Sequence, residues 1–156
     1  MAKLIRNTEQ VEIDSNLQQL LYYGEIIKPI PYYKNYFVTN TGRVFSAKRK
    51  IEYDTLRGDN YHCILWKEIK PRMINGYLAL NIMNDQGNRK TEYIHYLVYI
   101  AFNNYLDKRV LKIVHRDHNK LNNNINNLAV TWRKKGDYQE HKNWLYRENM
   151  RQIYNE

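Results

Sequence analysis

At 156 residues the chain has room for one domain or two very small ones, and 43% apolar residues support a core and exclude disorder throughout. A formal charge of +9 favours a polyanion partner, nucleic acid before an anionic membrane surface. The single cysteine, Cys63, excludes a disulfide framework or a Cys-based zinc site within one chain, and a reducing cytoplasm is the simplest setting.

The start, "MAKLIRNTEQVEIDS", has no apolar segment and does not read as a secretory signal. Ser15 to Gln18 fits a capping box ahead of Leu17, Leu20 and Leu21, so a short helix is expected there, ended by Gly24. "KPIPYYK" is a loop set by Pro29 and Pro31. "YFVT", a turn at Asn40-Thr41-Gly42, and "RVFSA" predict a hairpin. "YHCILWK" predicts an apolar strand with Cys63 as inert core. "YLALNIM", the turn "NDQG" and "RKTEYI" predict a second hairpin. "HYLVYIAFNNY" predicts a buried helix, and its longest apolar run is far too short to span a bilayer. "VLKIVH" and "NLAVTW" are strands flanking an Asn-rich stretch, and the pattern from Asp137 to the end is helical. Trp66, Trp132 and Trp144 are expected in core or docking roles.

"VHRDHNKLNNNINNLAVT" (114–131) is the most informative stretch. Asn is poor in helices and strands but suits turns and side chain to backbone hydrogen bonds. The stretch therefore reads as a tightly turned loop held by amides, with ionisable groups at its mouth. An Asn-rich surface loop is the plainer alternative. Strand, loop, return strand and helix make a ββα unit with a histidine at the end of its first strand. Phosphodiester hydrolysis asks for such a histidine as a base, with a divalent cation to neutralise charge.

Over residues 25–136 the sequence resembles the HNH endonucleases of phage and intron origin that carry an N-terminal NUMOD-type DNA-binding module. The resemblance rests on Val38-Thr39-Asn40-Thr41-Gly42-Arg43-Val44-Phe45-Ser46, on "GYLALNIM" with "HYLVYIAF", and on "HRDHNKLNNNINNL". It implies that His115 is the general base and that Asn127 steadies the loop holding it. It places Asp117, Asn119, Asn122 and Asn123 at loop-forming positions, and His95 at the start of the apolar helix, with a polar cap as its structural reading. It also implies a divalent metal, magnesium or manganese, if the chain cuts. Two positions depart from the pattern. Val114 stands where a metal ligand usually precedes the base, and Gly136 stands where His or Asn usually follows. Three routes stay open: Asp137 or His141 swings in, Asp117 and His118 act as a shifted pair, or the site is inactive.

The expected fold is α+β: an extension (1–24), a small β-hairpin NUMOD-like module (25–75), an HNH-like ββα domain (76–136) and a C-terminal helix (137–156). Arg43, Lys48, Arg49, Lys50, Arg133, Lys134 and Lys135 are candidate phosphate contacts. The expected function is metal-dependent cleavage of duplex DNA, nicking in particular, in the cytoplasm of a phage-infected bacterium, with no membrane partner. The alternative is an HNH-derived protein that binds DNA or inhibits a host protein without cutting. An RNA-associated factor is a third reading.

Overall fold

The computed structural model describes residues 14–55, 58–104, 106–108 and 111–133. The helical segment expected after Asp137, with Trp144, lies outside the described residues. Helix α1 (Ser15–Leu20) is capped by Asp14, whose carboxylate accepts from the Leu17 amide at 2.9 Å. The cap is thus one residue earlier than the expected Ser15, because Asp14 has the reach to the third helical N–H. The helix also stops at Leu20, so Gly24 belongs to the turn that follows.

Strands β1 (Ile27–Pro29), β2 (Tyr36–Thr39), β3 (Val44–Ser46) and β6 (Lys67–Ile69) form one sheet in the order β1-β2-β3-β6. Its pairs are all antiparallel. Strands β4 (Arg49–Thr55) and β5 (Gly58–Ile64) form a separate two-stranded ribbon. Strands β7 (Arg72–Ile74), β8 (Tyr77–Met83) and β9 (Arg89–Tyr93) form a third sheet. The second half of β8 alternates, with Leu80 and Ile82 buried and Asn81 and Met83 exposed. Cys63 is exposed on the ribbon rather than buried, because a two-stranded ribbon leaves a face of its apolar run open.

Helix α2 (Ile94–Asn103) buries Ile94, Leu97, Val98 and Ala101, the spacing of a single helical face. Asn104 ends it in the left-handed conformation, φ 63°, with its N–H on the Ile100 carbonyl. Strands β10 (Leu111–His115) and β11 (Leu128–Trp132) form the last hairpin, with His115 opposite Leu128.

The main core is continuous across the boundary expected at residue 75. Ile30, Tyr33, Val38 and Val44 pack with Leu80, Ile82, Ile94, Leu97, Val98 and Leu128. Each such side chain contributes about 1.5–3 kcal/mol on burial. The residues on the two sides of position 75 therefore share one core. A smaller cluster joins Leu17, Ile27 and Phe45, and Trp66 meets Phe37 edge-on at 5.0 Å beside it.

Candidate functional site

Strand β10 ends at His115, and the chain then makes the Asn-rich loop. Each amide has a defined task. Asp117 accepts from the Asn119 N–H at 2.8 Å, Asn119 from the Leu121 N–H at 3.0 Å, and Asn124 from the Asn126 N–H at 3.0 Å. These are side chains bonding the backbone two residues on, a local turn that Asp and Asn make well. Asn124 thereby caps a 3₁₀ turn, Ile125–Asn127, that leads into β11. Asn127 closes the loop. Its Nδ2 donates to Asp117 Oδ1 and to the Asn122 carbonyl, both at 2.9 Å, and its Oδ1 accepts from the Asp117 N–H at 3.1 Å. Hydrogen bonds from Asn122, Asn127 and the Asn119 N–H hold the Asp117 carboxyl below the ordinary aspartate range.

Asn123 is the exception in the series. It is buried, and its Nδ2 donates to the Leu121 carbonyl at 3.2 Å, which fixes the direction of the amide. Its Oδ1 therefore faces His115 Nε2, at 3.2 Å. An oxygen there can only accept, so Nε2 carries the proton and the imidazole lone pair lies on Nδ1. The β2–β3 turn supports this residue. A Cβ on Gly42, where φ is +97°, would come within 2.8 Å of Asn123 Cβ. Asn40 adds two hydrogen bonds, its carbonyl accepting from the Ile125 N–H and its Oδ1 from the Ile26 N–H.

His115 is itself buried and sits among aromatic rings. Its ring meets that of His95 edge-on at 5.3 Å and lies 6.1 Å from that of Tyr77. His95 stacks on Tyr93 at 5.5 Å and tilts against Tyr77 at 5.1 Å. It does not cap α2, whose N-cap is Tyr93 with no side-chain bond, and its Nδ1 is buried without a hydrogen-bond partner. Burial, then the neighbouring His115 and Lys108, push His95 down to about 4.

The other sequence candidates are scattered. Arg43 is engaged within the protein. Its guanidinium donates to Glu25 at 2.7 Å, to Glu68 at 2.8 Å and to the Leu20 carbonyl at 2.9 Å, and lies 3.9 Å from the Tyr22 ring centroid. Its role is to tie α1 and β6 to the hairpin. Burial raises Glu25, but bonds from Thr41, the Tyr22 N–H and Arg43 outweigh it and leave the carboxyl low. Arg43 likewise holds Glu68 low. Lys48 pairs with Asp14 at 3.2 Å, half-buried Arg49 has a buried Nη1 without a hydrogen-bond partner, and Lys50 lies 4.2 Å from the Tyr61 ring centroid. Arg133 donates Nε to the Lys108 and Leu111 carbonyls. His118 is exposed at the loop tip with φ 60°. Lys134, Lys135, Gly136, Asp137 and His141 lie outside the described residues.

The described residues do not fit a hard divalent cation. Such ions need several oxygen or imidazole donors. Val114 offers none, and both Asp117 oxygens already accept amide hydrogens. Among the described residues no group of three or more His, Cys, Asp or Glu is placed to hold a metal. Sequence reasoning named Asn123 only as a loop former and passed over Tyr77, Tyr93 and Lys120. Nothing in a run of five asparagines between 122 and 127 marks the one that turns inward.

The site so described is a histidine held at a strand end by an amide-bonded loop. The chain matches no protein-family model and no curated protein. It is similar in fold to a solved structure described as "DNA binding and cleavage by the HNH homing endonuclease I-HmuI", at 27% identity and a TM-score of 0.49. The match covers 83% of this chain and 66% of that one, just under two thirds. No helix of the described residues is long and apolar enough to cross a membrane.

Proposed function

We propose that the chain binds duplex DNA and hydrolyses a backbone phosphodiester as an HNH-type nicking endonuclease, with His115 as general base. The observation that carries this is the Asn123 amide, which puts the His115 proton on Nε2 and the lone pair on Nδ1. In the reaction Nδ1 takes a proton from the attacking water, and Asn123 accepts from Nε2–H throughout, so the ring keeps its orientation. Asn127 and Asp117 keep the loop from relaxing as the charge on the ring changes. A divalent cation, magnesium or manganese, would supply neutralisation of the phosphate. The described residues do not fit one, and no step here passes through it. Lys48, Arg49, Lys50 and Arg133, with Lys134 and Lys135, are the proposed backbone contacts, and one base per chain cuts one strand.

Supercoiled plasmid tests the reading. The parent relaxes it by nicking, and His115→Ala loses nicking while duplex affinity stays within about threefold. Nicking undiminished in His115→Ala overturns the assignment. A second reading, DNA binding without cleavage, is favoured by Val114 and by the hydrogen bonds that already occupy Asp117. It is the correct one if duplex binding is intact and no nick forms with magnesium or manganese.

A further inference from the structure

Three groups around His115 have no task in the reaction as described: His95, Tyr77 and Lys120. Tyr77 opens β8 directly after the tight Asn75–Gly76 turn, where both residues have positive φ, 52° and 80°. Lys120 comes from the Asn-rich loop and lies across that turn. A Cβ on Gly76 would sit 3.7 Å from Lys120 Cδ and 3.9 Å from its Nζ. The Lys120 ammonium is 4.7 Å from the centroid of the Tyr77 ring, and that ring lies against both imidazoles. The lysine stem is thus laid along one turn and its head parked on an aromatic face.

Among the described residues the ammonium has no counter-charge. Arg43, Lys48, Lys70 and Lys108 each pair with a carboxylate, whereas no ion pair of Lys120 occurs among the described residues. The same Tyr77 ring tilts against His95, whose buried Nδ1 has no hydrogen-bond partner. A positioned cation with no ion pair among the described residues, sharing an aromatic ring with a histidine whose nitrogen lacks a partner, describes a place for an oxyanion. We propose that Lys120, with Tyr77 beneath it and the His95–His115 pair against the same ring, is a subsite for a nonbridging oxygen of the DNA phosphodiester. This rests on the nuclease reading above and deepens it. The lysine brings a point charge to the phosphate beside the base, in a site whose described residues assemble no cation-binding donors.

The test uses the whole chain and two probes, inorganic phosphate and plasmid DNA. Phosphate is titrated while the imidazole nitrogens of His95 and His115 are followed by NMR. Both histidines are expected to shift, with an affinity that falls about fivefold or more in Lys120→Met and stays within about twofold in Lys120→Arg. Melting temperatures equal to the parent are expected, since Lys120 is exposed. Silent histidines, or binding indifferent to Lys120→Met, overturn the subsite. If phosphate moves both rings in a Lys120-dependent way but plasmid is never nicked, the subsite stands and the cleavage reading falls. Nicking that depends on His115 and is unchanged in Lys120→Met overturns the subsite and leaves the cleavage reading intact.

Discussion

Two polar networks flank the β2–β3 turn, and they are built in opposite ways. On one side Arg43 joins Glu25 and Glu68, with an aromatic ring on its face and a carbonyl as a further acceptor. Every strong group there is matched by another. On the other side the Asn-rich loop is held by neutral amides gathered around the Asp117 carboxylate, and the groups it presents are incompletely matched. His115 is left with a lone pair, His95 with an unpartnered nitrogen, and Lys120 without a counter-ion among the described residues. A closed network joins elements together. An open one, kept rigid by amides and by a carboxylate held below the ordinary aspartate range, can accept a proton or an anion without collapsing.

The comparison breaks most clearly at Arg43. Arg43→Ala leaves the Glu25 carboxylate without its cation and Glu68 with only exposed Lys70, and should destabilise the fold by about 3–5 kcal/mol, read by denaturant unfolding. The affinity of the folded variant for DNA, measured at low temperature, should stay at the parental value. A variant of parental stability that binds DNA weakly would return Arg43 to the DNA surface. The acid response has a definite sign. Folding depresses Glu25 and Glu68 below the ordinary 4.5, so their contribution is present above that pH and is lost as pH falls through the lower folded values. Arg43→Ala should remove most of the Glu68 share of that acid sensitivity and only part of the Glu25 share, which also rests on Thr41 and the Tyr22 N–H.

Gly42 tests the link between the two networks. Gly42→Ala forces a positive φ on a side chain that also strikes Asn123, and should destabilise by about 2–3 kcal/mol. It should disturb the NMR signals of His115 more than those around Glu68. Equal disturbance at both would mean the turn does not single out the histidine.

His95 sharpens the contrast through pH. A histidine held at about 4 in the fold and 6.5 when unfolded takes up its proton more readily unfolded, so stability falls as pH drops from 6.5 towards 4. Allowing for partial exposure, the loss is on the order of 2 kcal/mol. His95→Phe should flatten the stability profile over that window, and an unchanged profile would place the titrating group elsewhere.

The smallest effect concerns the ribbon. Replacing Lys48, Arg49 and Lys50 by Ala should reduce the slope of log affinity against log salt by roughly 0.9 for each phosphate no longer neutralised. Lys48 already pairs with Asp14, so the reduction should fall short of what three free cations would give. An unchanged slope would mark the run as solvated surface.

The hairpins, the buried helix and the strand delivering His115 were legible because alternation and helical spacing are local patterns. Asn127 was singled out by the resemblance to the HNH pattern, and in the fold it bonds Asp117 and the Asn122 carbonyl. The inward turn of Asn123 was not legible, since it depends on Gly42, about eighty residues earlier in the chain. Arg43 looked like a phosphate contact for the same reason. Its partners Glu25 and Glu68 are 18 and 25 residues away and meet it only once β6 has joined the sheet. The single core across residue 75 was hidden because hydrophobic periodicity tells which face is buried and not what covers it.

The central claim is that the Asn123 amide sets which nitrogen of His115 can act as a base. Long-range proton–nitrogen NMR on histidine-labelled protein reads this directly. The account predicts an Nε2–H signal for His115 with Nδ1 as the unprotonated nitrogen, and loss of that preference in Asn123→Ala. A His115 proton found on Nδ1 in the folded parent would contradict it.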